Sequence, residues 1–159
     1  MRVDWPLGTV VAVNVLGWPV LQMGLGWLFT QMPARWFDPR GGWAWEGHGR
    51  IYERWVKIKS WKSRLPDAAP WFSGGFAKKS FAGSDPHYRE RFARETRRGE
   101  LCHWTAIAFT PVFFLWNPWW GDLIMAVYAM TANFPCILVQ RYNRFRLVRV
   151  NTLSDAFTR

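Results

Sequence analysis

Thr96, Glu100 and His103 are the residues of this chain whose types and spacing best suit chemistry. In a helix, spacings of four and seven residues place the three side chains on one face. A carboxylate three residues from an imidazole can orient the ring, which then removes a proton from a hydroxyl nucleophile. A second interpretation stays open, in which Glu95 and Glu100 pair with arginines and lock helices together.

A polar seam ends the last apolar segment of the chain. Asn133 and Gln140 lie within this segment, and Arg141, Asn143 and Arg144 follow at once. Hydrocarbon penalises such groups heavily unless a polar partner meets them. In a helix, Asn133, Gln140 and Arg144 fall on one face, because they are seven and four residues apart. This face predicts a polar ribbon that leads from the membrane interior to its edge.

Long apolar segments frame these residues. Half of the 159 residues are hydrophobic, the run 7–31 has no charged residue, and the run 101–140 has only Asp122. Because a spanning helix needs ~20 residues, the first run predicts one span and the second predicts two, separated by a turn at 117–122. The first run also exceeds the ~7 to 15 apolar residues of a signal peptide, so we expect a retained anchor.

The sequence therefore predicts an all-α integral membrane protein, with a single membrane domain over residues 1–159. Its predicted transmembrane helices, about three in number, lie near 7–31, 101–118 and 121–140. A re-entrant hairpin in place of the last two spans stays open, because each arm is only just long enough to cross.

The distribution of basic residues predicts the orientation. Residues 33–101 hold 15 of the 21 Lys and Arg residues, and five more follow residue 140. The positive-inside rule then places the loop 33–100 and the tail 141–159 in the cytoplasm, with the N-terminus outside. The sequence therefore predicts a multi-pass protein of the cytoplasmic membrane.

Two helices are predicted in the basic loop. In 49–64, Ile51, Trp55 and Ile58 recur at helical spacing with basic residues on the other faces, which favours an amphipathic helix in the membrane interface. The second begins at Asp85, an N-cap residue followed by Pro86 at the first helical position, and continues into the next apolar run.

The net charge of +10 raises the question of nucleic-acid binding. Basic residues beside apolar spans are, however, typical of topology and of attraction to anionic lipid headgroups. We therefore expect membrane lipids, and no nucleic acid, as partners. The three histidines are scattered, and Cys102 and Cys136 lack paired spacing, so neither a metal site nor a disulfide is predicted.

Three motifs follow one another along the chain: WVKIKSWKSRLPD at 55–67, ETRRGELCHW at 95–104, and NFPC followed by QRYNR at 133–144. Together they resemble the glycosyl-4,4′-diaponeurosporenoate acyltransferase family, over roughly Glu46 to Arg149. The resemblance implies a small membrane enzyme that moves a fatty acyl group to a sugar hydroxyl of a glycosylated carotenoid or a related glycolipid. It implies acyl-CoA as the co-substrate and acyl donor, and no cofactor.

Acyl transfer suggests roles for residues in these motifs. The acceptor hydroxyl must lose its proton, and the developing oxyanion needs hydrogen-bond donors. His103 is the candidate base with Glu100 as its orienting residue, and Glu95 is the third catalytic candidate. The candidates for substrate binding are Lys59, Lys62, Asp67, Asn133, Arg141, Asn143 and Arg144.

A competing hypothesis makes the chain a non-enzymatic membrane subunit. Short spans, 13 Trp residues and a basic collar also suit a protein that scaffolds or seals a larger membrane complex, for example one that binds pigment through aromatic contacts. The buried polar residues discriminate between the two hypotheses. When these residues are neutralised, an enzyme should lose turnover while it stays folded, whereas a scaffold should tolerate the change.

Overall fold

The computed structural model describes residues 4–39, 44–65, 71, 73, 75–76 and 85–157. Within these ranges all regular elements are helical, as the sequence predicts. The α-helices are α1 (Leu7–Gln31), α2 (Arg50–Arg54), α3 (Ile58–Trp61), α4 (Pro86–Ala108) and α5 (Trp119–Phe157). The 3-10 helices that carry the argument are Ala44–Gly49, Lys62–Arg64 and Thr110–Leu115.

Two of these helices, α1 and α5, are long and apolar enough to cross a membrane among the residues described. Large apolar side chains point away from the protein on both, such as Val20, which is 71% exposed, and Leu123, which is 60% exposed. Water would penalise this surface by about 25 cal/mol per Å². The exposed apolar faces therefore indicate a membrane protein.

α1 lies antiparallel to the chain between Arg98 and Asn117. Contacts follow in order along the two segments: Met32 with Arg98, Leu25 with Cys102 and Ala106, Trp18 with Phe113, and Asn14 with Asn117. The amide groups of Asn14 and Asn117 lie 2.7 Å apart. These contacts place the end of α4 and the following 3-10 helix beside α1 over most of its length.

The predicted span 101–118 is not one continuous helix. α4 ends at Ala108, and a 3-10 helix with Pro111 near its start follows. Proline has no backbone N–H, so it cannot continue the hydrogen-bond ladder of α4. The prediction of about three transmembrane helices is therefore not confirmed in that form.

α5 is a single helix of 39 residues with Pro135 inside it. It continues past the predicted end of the last span at residue 140 and carries the polar seam as a helical face. α4 packs antiparallel against it: Gly99 lies beside Gln140, and His103 beside Asn133. This pair of helices forms the back of the candidate site.

The predicted continuous helix at 49–64 is wrong. α2 ends at Arg54, Lys57 has a φ of 48°, and α3 begins at Ile58. The left-handed residue changes the chain direction. Tyr52 and Ile58 consequently pack together against Tyr142 and Phe145 of α5.

The predicted start of α4 is confirmed. The carboxylate of Asp85 accepts a hydrogen bond from the backbone N–H of His87 at 3.1 Å, and Pro86 is the first helical residue. This N-cap satisfies one of the backbone donors that a helix start leaves unpaired.

Candidate active site

A groove of about 460 Å³ lies between α1, α4 and α5. Trp18 and Tyr128 line its inner end, and Lys62 and Asn143 line the opposite end, which we call the mouth. Tyr128 and Asn143 are fifteen residues apart on one helix, so the groove extends for ~22 Å along α5. Most of its wall is apolar, and a few polar side chains project into it.

Three polar side chains meet on the wall of the groove. Nδ1 of His103 lies 2.8 Å from Oδ1 of Asn133, and Nε2 of Gln22 donates to the same oxygen at 3.2 Å. Nδ2 of Asn133 donates to the carbonyl of Ala129 at 2.9 Å. Each residue comes from a different long helix, so the polar layer also ties α1, α4 and α5 together.

The hydrogen bonds of Asn133 fix the tautomer of His103. Because Nδ2 of Asn133 is used on its own helix, its Oδ1 faces the ring, and an amide oxygen can only accept. The tautomer with the proton on Nδ1 of His103 therefore satisfies this 2.8 Å contact. Nε2 then holds the lone pair that can accept a proton, as a general base requires.

Glu100 takes part in an ion cluster between α4 and α5. Its Oε2 lies 2.6 Å from Nη2 of Arg144, and its Oε1 lies 3.2 Å from Arg97 and 3.5 Å from Nε of Arg141. Glu100 is only 2% exposed. These contacts correct the expectation that Glu100 orients His103, since both carboxylate oxygens face arginines and Asn133 holds the ring.

Glu95 belongs to a separate ion pair. Its carboxylate lies 2.6 Å from Nη1 of Arg98, and Nη2 of Arg98 donates to the carbonyl of Met32 at 2.7 Å. The guanidinium also lies over the ring of Phe37, 4.9 Å from its centre. Glu95 lines the groove, but through Arg98 it also connects α4 to Met32 at the end of α1. The interpretation in which both carboxylates lock helices describes these contacts.

Glu46 completes the ion cluster, a role that the sequence does not predict. This side chain is fully buried, accepts a short hydrogen bond from the hydroxyl of Tyr52, and lies 3.2 Å from Nε of Arg141. Burial, together with the bond to Glu46, raises the pKa of Tyr52 above its usual range. The only signal in the sequence was one acidic residue in a segment rich in Gly and Trp.

The mouth of the groove is basic. Nζ of Lys62 lies 3.4 Å from Oδ1 of Asn143 and over the ring of Tyr142. Burial, with smaller contributions from Arg146 and Lys59, lowers the pKa of Lys62. These neighbouring cations make the mouth suited to an anion.

Residues 33–153 match the model of the family described as glycosyl-4,4′-diaponeurosporenoate acyltransferase. The chain belongs to this family. Proteins of that name from Staphylococcus aureus strains USA300, bovine RF122 and MRSA252 are 29% identical over 137 residues, which make up 84% of this chain and 82% of theirs. No solved structure matches the chain. The resemblance carried by the three motifs is thus confirmed.

The structure places the candidate residues of this acyltransferase family member in different surroundings. His103, Asn133, Lys62, Asn143 and Glu95 line the groove. Glu100, Arg141 and Arg144 lie in the ion cluster, and Lys59 pairs with Glu53 at 3.1 Å. Asp67 lies outside the described residues.

Two groove residues did not enter the predicted site. Gln22 was one polar residue in an apolar run, and its contacts with Asn133 and His103 give it a place in the polar layer. Gln140 enters the groove beside Gly99, where a Cβ atom would lie 3.1 Å from its Cδ. Neither proximity can be derived from the spacing along one helix.

Proposed function

We propose that this protein transfers a fatty acyl group to a sugar hydroxyl of a glycosylated carotenoid or a related glycolipid, with His103 as the general base. The observation that carries the proposal is the hydrogen bond between His103 and Asn133 on the wall of the groove. The name shared by the relatives supports acyl transfer and a glycosylated carotenoid acid as the acceptor.

The proposed step moves one proton and one acyl group. Nε2 of His103 accepts the proton of the sugar hydroxyl while the oxygen attacks the carbonyl carbon of an acyl-CoA thioester. The C–O bond forms, the C–S bond breaks, and the proton passes from the imidazolium to the leaving thiolate. Gln140 lines the same groove about two helical turns from Asn133, between the polar layer and the mouth, and is a candidate for a hydrogen bond to the bound substrates.

The mouth of the groove is the proposed site for the donor's phosphates. Lys62 and Asn143 line it, Arg146 adds positive charge nearby, and Lys59 is a further candidate that is paired with Glu53. Asn143 and Asn133 are ten residues apart on α5, so ~15 Å separates the mouth from the polar layer. An extended pantetheine arm can cover this distance. Arg141 and Arg144 support the site through the ion cluster, and Asp67 stays a candidate from its motif alone.

The proposed topology has three crossings of a bacterial inner membrane. The ordered contacts of residues 98–117 with α1 support it, because this segment covers the same depth as α1. The N-terminus is then outside, and the basic loop and tail are cytoplasmic, in line with the positive-inside rule.

The test compares His103→Gln with His87→Gln in purified protein. His87 is an exposed residue at the start of α4 that does not line the groove, so its variant is the matched control. Acyl-CoA consumption is followed with a glycosylated carotenoid or a glycolipid as the acceptor. We expect His103→Gln to keep its melting temperature and to lose turnover by ~10²-fold or more, while His87→Gln stays active.

Two outcomes contradict this proposal. A fully active His103→Gln variant would exclude this residue as the base. Folded wild-type protein that transfers nothing to any glycosylated acceptor would favour the non-enzymatic subunit of a larger membrane complex.

A further inference from the structure

We infer that the groove opens sideways to the bilayer between α1 and α5, and that the glycolipid acceptor enters the site through this opening. The inference rests on the proposed function and adds to it the route and the binding surface of the acceptor. The donor, in contrast, enters through the basic mouth.

The packing of α1 leaves room for such an opening. α1 is held to α4 by Leu25, which packs on Cys102 and Ala106. Against α5, Trp18 packs at the inner end, where its ring meets the edge of Tyr128 at 5.4 Å. Within 4–39 and 119–157, the bond from Gln22 to Asn133 is the one hydrogen bond between α1 and α5.

The exposure of the groove residues locates the opening. Met23 on α1 lines the groove and is still 44% exposed, and Ala132 on α5 lines it and is also exposed. A residue that faces both the cavity and the outside lies on its lip. Among the described residues, α1 and α5 are the two helices that are both long and apolar enough to span a membrane, so the outside at this lip is hydrocarbon.

The inner end of the groove excludes a long hydrocarbon chain. Trp18 lies four residues from Gln22 on α1, so only ~6 Å separates the polar layer from the closed end. Trp18 is itself buried against Phe113, Met125 and Ala129. A carotenoid bound with its sugar at His103 cannot extend inward, so its apolar part leaves either sideways or toward the mouth.

The charge at each opening indicates which of the two substrates enters there. The mouth carries Lys62 with Arg146 close by, whereas the charge of Lys59 is offset by its ion pair with Glu53 at 3.1 Å. The remaining positive charge suits an anionic donor. The lip carries Met23 and Ala132, which suit the hydrocarbon part of a glycolipid. Ala132 precedes Asn133 directly in sequence, so a chain crossing the lip leaves its sugar beside the polar layer.

Cys136 provides a probe that needs no turnover. It lines the groove one helical turn from Ala132, and its thiol donates to the carbonyl of Ala132 at 3.7 Å. With Cys102 replaced by Ser, it is the one remaining thiol, since the chain has two cysteines. The protein is reconstituted in liposomes, and labelling is followed by mass spectrometry with N-dodecylmaleimide, which dissolves in lipid, and with a sulfonated maleimide.

We expect dodecylmaleimide to label Cys136 at least ~10-fold faster than the sulfonated reagent, because both reagents meet the same fraction of thiolate and differ in their access to it. Ala132→Trp should slow the lipid reagent by ~5-fold or more, since the larger ring fills the lip. Val127→Trp is the matched control, because Val127 is 54% exposed on α5 and does not line the groove. Met23→Trp tests the same lip from α1 if the first variant does not fold.

Turnover gives a second measurement. Ala132→Trp should raise KM for a long-tailed glycolipid by ~10-fold and leave KM for acyl-CoA unchanged, because only the acceptor crosses the lip. Faster labelling by the sulfonated reagent, or equal labelling of the wild type and both lip variants, would overturn the sideways opening. The expected labelling in a protein without transferase activity would keep the opening and reject the proposed function.

Discussion

Nδ1 of His103 on α4 lies 2.8 Å from Oδ1 of Asn133 on α5, although the two residues are 30 positions apart. The amide is fixed by its own bond to the carbonyl of Ala129, so the ring receives an acceptor and keeps its proton on Nδ1. This geometry makes Asn133 a positioning residue for His103.

Asn133→Leu should lower kcat by ~10-fold or more, because the ring loses the acceptor that sets its tautomer. Leu has nearly the same shape, but Gln22 and His103 lose their shared acceptor, so kcat is compared at a temperature at which both proteins are folded. Thr131→Val is the control, since the Thr131 hydroxyl is exposed and bonds only its own helix. Unchanged kcat in Asn133→Leu would reject the positioning role.

Glu100→Ala should reduce the yield of folded protein much more than Lys59→Ala. Glu100 and Arg144 are both buried, and a buried arginine that loses its carboxylate costs about 3–5 kcal/mol. Lys59 is mostly exposed and pairs with Glu53 at 3.1 Å, so its removal costs little. The measurement is the monodisperse fraction after detergent extraction, and equal fractions would show the ion cluster to be unimportant for folding.

Gly49→Ala should destabilise the protein by at least about 2 kcal/mol. Gly49 has a φ of +83°, and a Cβ atom would lie 2.7 Å from Cβ of Phe145. Gly24→Ala is the contrasting variant, because a Cβ there meets nothing within 4 Å, and alanine favours a helix by about 1 kcal/mol. Thermal melting in detergent should therefore fall for the first variant and stay equal or rise for the second.

KM for acyl-CoA should rise as Lys62 loses its proton, and this rise should begin at a lower pH than for a lysine with an ordinary pKa. Burial and the neighbouring cations lower the pKa of Lys62 from its usual 10.5, so its ammonium is lost earlier as the pH rises. The protonated form binds the phosphates, hence affinity is high below this pKa and falls above it. Lys62→Arg should flatten the profile, because arginine stays charged. An identical profile in that variant would exclude Lys62 from donor binding.

Labelling in intact cells tests the topology. A single cysteine at Trp120, in the turn that begins α5, should react with an impermeant reagent from outside, and one at Lys59 should not. Permeabilised cells serve as the control, in which both positions should react. External labelling at Lys59 would reverse the proposed orientation.

The sequence alone determined the features that depend on neighbouring residues. Apolar runs predicted α1 and α5, and Asp85 with Pro86 predicted the start of α4. The ordered motifs identified the family. Local signals failed where a single residue changed the chain path, as at Lys57, whose left-handed conformation breaks the predicted helix at 49–64.

Only the tertiary structure decided which polar groups meet. Gln22 and Asn133 are 111 positions apart, and Glu100 and Arg144 are 44 apart. From their spacing, Glu100 and His103 share a face of α4. In the packed structure, however, Glu100 contacts Arg144 of α5 and His103 contacts Asn133 of α5. The physical reason is that helical periodicity fixes the neighbours of a residue along one helix, whereas contacts between helices depend on how the side chains of α1, α4 and α5 pack together.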